Sequence, residues 1–388
     1  MEFNGKGNCW PDDAQRLLLQ AALASDDVAR RAWRAWQTSV DVERLDTGSY
    51  RLLPLLYDRL ESLSATGPAV ERFKGILRHT FAVNQLQIRA YKDVLDVLRQ
   101  NGIPAVATPD APVLARAYRS VGLRPHNNFG VFVRPKDVVE AHRSLAASGW
   151  TSVTQAIRTP DNAPSLCGTS LSNESGQVLG LRWRVFDDSP THMDEMLWTQ
   201  ARETALFGAT ALTPDSADLL LYLIDEGVRW EAVPPFRWMA DAALLIRRDE
   251  IDWDYFLSRC DAYGRKLPAR EGLEFVRSLG LAAVPDRVGE DLRDRSVDRR
   301  QFVRHRLLTA RPSSHGFGNR YRALKLVYVN ETRNTSVIAR PYRFVRFLAD
   351  RWKLDSAQAV VRAAIAKALS TGRGPAVSAE NARSRQHG

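Results

Sequence analysis

One segment of this chain has the arrangement of a catalytic strand but lacks the side chains that would do the chemistry. It runs from Leu123 to Pro135 and lies between two segments with helical patterns. Residues two apart on a strand point to the same face, so Asn128 and Gly130 share one side. An aspartate at both positions would bind metal ions for phosphoryl or nucleotidyl transfer. The chain has an amide and a hydrogen atom there, so this strand lacks both carboxylates.

The residues around this segment predict a small α/β core. Apolar runs at 103–107, 129–133 and 178–186 are typical of buried strands. Periodic apolar residues at 113–118 and 138–147 indicate helices between them. Strands that alternate with helices in this way favour an α/β arrangement. The Ser-, Asn- and Gly-rich stretch 165–177 is predicted to be a loop or hairpin within this core.

Helical patterns flank the core on both sides, with a break at Gly67-Pro68 and a stop at Asn101-Gly102. The predicted helices have apolar residues at three- and four-residue spacing and cover 14–24, 29–40, 69–100, 219–224, 238–246 and 255–260. We therefore predict an α+β protein, in which N- and C-terminal helical regions flank the α/β core. The predicted boundaries are an N-terminal helical region at 1–100, the core at 101–200, a helical domain at 201–300, a basic helical region at 301–370 and a disordered tail at 371–388.

Composition narrows the class of protein. The chain has 388 residues, of which 44% are hydrophobic and 26% charged, so it can bury a core of ordinary size. Three scattered cysteines, Cys9, Cys167 and Cys260, fit neither a disulfide framework nor a zinc site. No apolar run is long enough to cross a membrane, and the N-terminus lacks a signal-peptide pattern. We expect a soluble cytoplasmic protein.

The positive charge is concentrated near the C-terminus. Residues 304–353 contain twelve basic residues against two acidic ones, which accounts for the whole net charge of +10. Aromatic residues are interleaved with the basic ones, a pattern that can bind single-stranded nucleic acid. The part from Tyr342 to Leu354 also fits an amphipathic helix on an anionic membrane surface. An arginine-rich helical region that packs its aromatic residues inward explains the same pattern.

Several short blocks, in order, resemble a known family. They are Arg51-Leu52-Leu53-Pro54-Leu55-Leu56-Tyr57, Gly122-Leu123-Arg124-Pro125, Val131-Phe132-Val133-Arg134-Pro135, Pro234-Pro235-Phe236-Arg237-Trp238-Met239-Ala240-Asp241-Ala242 and Ile251-Asp252-Trp253. The chain resembles the bacterial nucleotidyltransferases of the DNA polymerase β-like superfamily over roughly residues 12–370. The resemblance implies a nucleotidyltransferase-like core and a nucleotide-binding ancestry. It also implies that the Arg-Trp-x-x-Asp pattern at 237–241 packs the helical half against the core.

The catalytic motifs of that family are altered in this chain. The family has Met-Gly-Asp-x-Asp after Leu-Arg-Pro and Asp-x-His-Trp on a later strand, so its three metal-binding carboxylates align with Asn128, Gly130 and Gly180. Its Lys-Gly pair aligns with Pro109 and Asp110. Magnesium needs hard oxygen ligands, and these positions offer one neutral carbonyl oxygen. We therefore expect no metal site and no cofactor, and magnesium only if the site is atypically active.

Loss of the carboxylates leaves the former metal pocket neutral or positive, so that it could hold an anion directly. The candidate ligand-binding residues are Arg124, His126, Asn128, Arg182 and Trp183. Our first hypothesis is a pseudoenzyme of nucleotidyltransferase fold that binds an anionic ligand or a partner protein. The second is a transferase with a site rebuilt around Asp110, His126, Asn128 and Arg182. The third is a nucleic-acid or membrane-surface module that uses residues 304–353. On spacing alone, 129–133 also fits an ordinary buried strand.

Overall fold

The structure of the protein is a computed structural model that describes residues 9–126, 128–153, 167–186, 193–231, 233–234, 236–310, 345, 356 and 358–363. The chain divides into two compact units, one up to Arg311 and the other from Pro312. All elements named below belong to the first unit. Nearly all of the basic span at 304–353, and all of the predicted tail, lie outside the described residues.

The N-terminal region is helical, as the periodic apolar residues predicted. Its first helix starts with a capping box. The backbone amide of Gln15 donates to Asp12 Oδ1 at 2.9 Å, and the backbone amide of Asp12 donates to Gln15 Oε1 at 3.0 Å. The last helix is unbroken from Pro68 to Gln100. Asn101 caps its C-terminus, and Gly102 follows with a φ of +66°. The helices of this region are α1 (Asp13–Leu23), α2 (Asp26–Ser39), α3 (Thr47–Tyr50), α4 (Leu53–Ser62) and α5 (Pro68–Gln100).

The α/β core contains one mixed sheet. In the described residues its elements are β1 (Ala105–Ala107), α6 (Asp110–Ala117), β2 (Asn128–Val133), α7 (Val138–Ala147), β3 (Thr151–Ser152), β4 (Gly168–Ser172), β5 (Val178–Arg182), α8 (Glu195–Gln200), β6 (Arg202–Leu206) and β7 (Ala209–Thr213). The strand order is β3-β4-β5-β2-β1-β7-β6. Strand β2 is antiparallel to β1 and parallel to β5, so it lies in the middle of the sheet.

The α+β fold class is confirmed, but the sequence predicted fewer strands than the sheet has. The stretch 165–177 contains β4, which forms an antiparallel hairpin with β5. Strand β5 ends at Arg182, four residues before the predicted end. The β6–β7 hairpin was not predicted, and it extends the sheet to Thr213, past the predicted core boundary at 200. The domain boundaries themselves stay a prediction.

Helices return after the sheet. They are α9 (Ser216–Gly227), α10 (Arg237–Arg248), α11 (Trp253–Tyr263), α12 (Lys266–Ser278), α13 (Asp286–Asp294) and α14 (Arg299–Thr309). The apolar faces of α9 to α13 join those of the N-terminal helices and the sheet in one hydrophobic core. No helix in the described ranges is long and apolar enough to cross a membrane.

Candidate functional site

The three positions that align with metal-binding carboxylates lie together on adjacent strands. Strands β2 and β5 are parallel, and Gly130 is the register partner of Gly180. Asn128 is two residues before Gly130 and shares its face of the sheet. A Cβ atom on Gly180 would lie 3.8 Å from Asn128 Nδ2. The structure therefore brings Asn128, Gly130 and Gly180 to one place, although they come from two segments of the sequence.

Gly130 has no room for a side chain. A Cβ atom there would lie 2.7 Å from the carbonyl oxygen of Gly180 and 2.9 Å from Thr108 Oγ1. The Gly130 carbonyl accepts hydrogen bonds from the Thr108 amide at 2.9 Å and from the Tyr91 hydroxyl at 3.1 Å. The backbone is thus fixed on both sides. An aspartate at this position would require a different packing of β1, β2 and β5, since close-packed interiors do not adjust freely.

Gly180 differs in this respect. The atom nearest to a Cβ there would be Gly130 Cα at 3.7 Å, an ordinary van der Waals contact. Of these two glycines, only Gly180 can accept a side chain without rearrangement.

This difference predicts opposite outcomes for two matched substitutions. We expect Gly130→Ala to lower the free energy of unfolding by about 1–3 kcal/mol, because the added methyl overpacks the strand pair. Gly180→Ala should change it by less than about 0.5 kcal/mol. Urea denaturation of both variants, followed by circular dichroism, measures the two values. Equal effects would contradict the tight packing of Gly130.

Pro109 and Asp110 occupy the positions where the resemblance places Lys-Gly, and neither can bind a phosphate as that pair would. Pro109 has no amide hydrogen to donate to a phosphate. With Phe132 and Tyr222 it lines a cavity of only about 10 Å³, roughly the space of one water molecule. Asp110 is the first residue of α6, and its Oδ1 accepts a hydrogen bond from Arg124 Nη2 at 2.8 Å.

Arg124 is the centre of a buried ion-pair network. Its Nε and Nη2 donate to the two carboxylate oxygens of Asp241, each at 2.8 Å. The side chains of Arg124 and Asp241 are 1% and 2% exposed. The Tyr118 hydroxyl donates to Asp241 Oδ1 at 2.6 Å. Burial first, and then the Asp241 carboxylate, raise the pKa of Tyr118 well above its ordinary value. Arg124 thus joins the core to helix α10.

The Arg-Trp-x-x-Asp pattern contributes to this junction through contacts with the core that its spacing does not predict. The four-residue spacing predicts an Arg237–Asp241 pair within α10, and Arg237 Nε forms this ion pair with Asp241 Oδ2 at 4.0 Å. Arg237 Nη1 also donates to the carbonyl oxygen of Pro125. Both residues therefore bind the segment that leads into β2, which is the packing role that the resemblance implied. The missing partner, Arg124, is 117 residues from Asp241, so no local spacing could have indicated it.

The surroundings of His126 and Asp110 lower the pKa of both side chains. Burial, with a further contribution from Arg124, lowers the pKa of His126 to about 3, and its ring lies on Phe129 with centroids 3.9 Å apart. Burial by itself would raise the pKa of Asp110, but Arg124, Arg237 and His126 together lower it. At neutral pH the imidazole is neutral and the carboxylate is ionised. A group with a pKa near 3 is a poor general acid or base at neutral pH.

The remaining two candidates lie at the end of β5. Arg182 shares the face of Gly180 and its guanidinium lies 5.9 Å from the centre of the Tyr222 ring. Trp183 follows it, is 3% exposed and belongs to the core. In the part of the chain that the structure describes, no three His, Cys, Asp or Glu residues are grouped to hold a metal ion. Arg182 is therefore a cation on the face of Asn128, Gly130 and Gly180, where its register partner is the buried Phe132.

Comparison with known families identifies the family of this chain. The model of a family described as "Uncharacterised nucleotidyltransferase" matches residues 49–280, which is more than half of the chain. The solution structure of the antibiotic-resistance factor ANT(2'')-Ia is similar at 11% identity and a TM-score of 0.34, and covers 49% of this chain and 98% of its own. No curated protein matches the sequence.

Proposed function

The chain belongs to the family of uncharacterised nucleotidyltransferases, and from that premise we propose that it binds a ligand through this fold and does not transfer nucleotidyl groups. The observation that carries the proposal is the packing of Gly130, whose missing Cβ would lie 2.7 Å from a backbone oxygen. Two-metal transfer needs carboxylates that hold both ions. Here Asn128 supplies one neutral oxygen, Gly130 has no room for a metal-binding side chain, and Gly180 has no side chain.

We propose that the ligand is anionic and is held without a metal bridge. The Nη1 atom of the buried Arg124 makes no hydrogen bond with the described part of the chain, although buried guanidinium groups normally use their donors. Arg237, whose pKa burial and then Arg124 lower to about 10, is still a cation at neutral pH. The neutral His126 adds no charge, so Arg124, Arg237 and Arg182 would supply the attraction. A partner protein with an acidic side chain at this place would satisfy the same groups.

A transferase with a rebuilt site is the alternative that Asp110 supports. Its side chain is 38% exposed, and it is ionised at neutral pH, so a single carboxylate remains near the position of the lost ones. One carboxylate could hold a magnesium ion that keeps most of its waters. In this alternative Asp110 and Asn128 would bind the ion, and Arg182 would contact the phosphates.

Titration of the full-length protein with nucleotides separates the two readings. We expect calorimetry with each of the four nucleoside triphosphates to show no binding that depends on magnesium. We also expect no transfer product from α-labelled nucleotides. Any anion binding should persist in EDTA and weaken in Arg182→Gln, while Arg99→Gln, an exposed change on α5, serves as the control. Magnesium-dependent binding that Asn128→Ala or Asp110→Asn abolishes, or any transfer product, would establish the rebuilt enzyme instead.

A further inference from the structure

A second cleft, away from the β2–β5 face, has a concentration of arginines. It has a volume of about 290 Å³ and lies between the C-terminal end of α1, helix α4, the residues after α6 and the end of α10. Its lining includes Arg59, Arg119, Arg247 and Arg248, and a single carboxylate, that of Asp58. This volume is near the lower end of the range for small-molecule sites.

Two of the arginines are held close together by the end of α1. Arg59 Nη2 donates to the Ala24 carbonyl at 2.8 Å, and Arg247 Nη2 donates to the Leu23 carbonyl at 2.6 Å. Burial, and then the charge of Arg59, lower the pKa of Arg247. The last turn of α1 contains no basic residue of its own, so these bonds stabilise its carbonyl end. That role uses one donor group of each guanidinium and leaves others available, since each has five N–H bonds.

The other donors are only partly satisfied. Arg59 also binds Asp26 Oδ1 at 2.7 Å, but its buried Nε has no hydrogen-bond partner in the described part of the chain. Arg119 Nε donates to Asp58 Oδ1 at 2.8 Å. Arg248 makes no hydrogen bond or ion pair with the described residues. Four guanidinium groups therefore line the cleft with one carboxylate, that of Asp58, and Asp26 pairs with Arg59. The cleft thus has a net positive charge that attracts anions.

The chemistry of the lining indicates which anion. Guanidinium groups match phosphate oxygens through paired, charge-assisted hydrogen bonds. Four leucines also line the cleft, and apolar walls lower the local dielectric constant, which strengthens the attraction between an anion and the arginines. We propose that this cleft binds a compact anion that carries phosphate groups, of the size of pyrophosphate or a sugar phosphate. This site is distinct from the proposed one at β2 and β5, and does not depend on it.

The cleft is also in contact with the buried ion-pair network around Arg124. Tyr118 lines it and donates a hydrogen bond to Asp241, which binds Arg124. Helix α6 extends from Asp110, beside the β2–β5 face, to just before Tyr118. At about 1.5 Å per residue, those two residues are about 12 Å apart along the helix axis.

Calorimetric titration of the full-length protein with pyrophosphate tests the proposal. Arg248→Gln is the test variant because the side chain of this arginine makes no hydrogen bond or ion pair with the described residues, and Arg44→Gln is the matched control because Arg44 is 87% exposed and lies outside the cleft. We expect Arg248→Gln to weaken binding about tenfold, and Arg44→Gln to change it less than about twofold. Higher salt should weaken binding in the wild type. The proposal is overturned if pyrophosphate does not bind at low salt, or if the two variants bind it equally well.

Hydrogen exchange of the wild type locates the ligand without any variant. Pyrophosphate should slow exchange in peptides from 55–62, 117–123 and 244–248. Protection confined to 311–353 would show that the basic C-terminal span binds the anion, and this too would overturn the proposal.

Discussion

Replacing Asp225 with Asn should lower the free energy of unfolding by about 3–5 kcal/mol. Asp225 is fully buried in α9 and is the common partner of three arginines. Arg304 Nη1 and Nη2 donate to its two oxygens at 2.9 and 3.0 Å, and Arg229 Nη2 donates at 3.0 Å. Arg265 Nε lies 3.2 Å from Oδ1. An amide keeps the shape of the side chain but removes the carboxylate that these three arginines share, although Arg229 also pairs with Glu226 at 2.8 Å.

Asp254→Asn is the matched control for Asp225. Asp254 pairs with Arg287, and the two side chains are 80% and 54% exposed. Exposed pairs contribute about 0–1 kcal/mol. Urea denaturation at pH 7 should therefore give a small change for Asp254→Asn and a large one for Asp225→Asn. Similar midpoints for the two variants would show that Asp225 does not hold the C-terminal helices together.

The effect of Asp225 should depend on pH in one direction. Burial alone would raise its pKa, but Arg265, Arg304 and Arg229 together lower it far below the ordinary value. A carboxylate with a lowered pKa stabilises the fold fully above its unfolded pKa of about 4, and this contribution decreases as the pH falls further. The stability difference between wild type and Asp225→Asn should therefore be constant near neutral pH and smaller at pH 3.

The spacing of apolar residues and the residues typical of helix ends predicted the helices and strands whose sequence pattern is regular. Helix α7 has the bounds that its apolar spacing predicted, and α1 begins at the Asp12 cap. Strand β2 was predicted because apolar residues follow a polar entry. These elements were predictable because each one's local preference agrees with its burial in the fold.

The β6–β7 hairpin shows what local patterns leave out. Most of the residues in Arg202–Leu206 are polar or small, and the strand is at the edge of the sheet. Its two-residue turn is Phe207-Gly208, with φ of +54° and +82°. Such turns normally use Asn-Gly or Asp-Gly, so a phenylalanine with positive φ gave no recognisable turn signal. The pairing with β7 stabilises this conformation against its local preference.

The candidate site was predictable in outline only. The sequence and its resemblance indicated that Asn128, Gly130 and Gly180 would lie close together, and the β2–β5 register brings them there. The contacts of Arg124 were not predictable, because its partners come from two other segments of the chain. The tight contact of Gly130 with Gly180 and Thr108 could not be predicted either, since it depends on how β2 packs between β5 and the end of β1.

The second large effect is expected at Asp241, where substitution by Asn should cost about 3 kcal/mol. Arg124 would keep only the half-exposed Asp110 as a charged partner, and a buried charge that has lost its main counterion is strongly destabilising. The Asp96→Asn variant is the control, because Asp96 and Arg99 form an exposed pair on α5 with side chains 53% and 71% exposed. Denaturation of both variants in urea gives the comparison.

A double variant shows which part of this cost is electrostatic. Removing both charges, with Arg124→Met and Asp241→Leu, eliminates the unpaired charge, so it should be more stable than Asp241→Asn alone. If the double variant is the less stable of the two, the hydrogen bonds to Tyr118 and Asp110 stabilise the junction more than the neutralisation of charge does. If it folds well but loses anion binding at the β2–β5 face, Arg124 has a ligand as well as a structural role. The buried pair would then support both the junction and the proposed anion site.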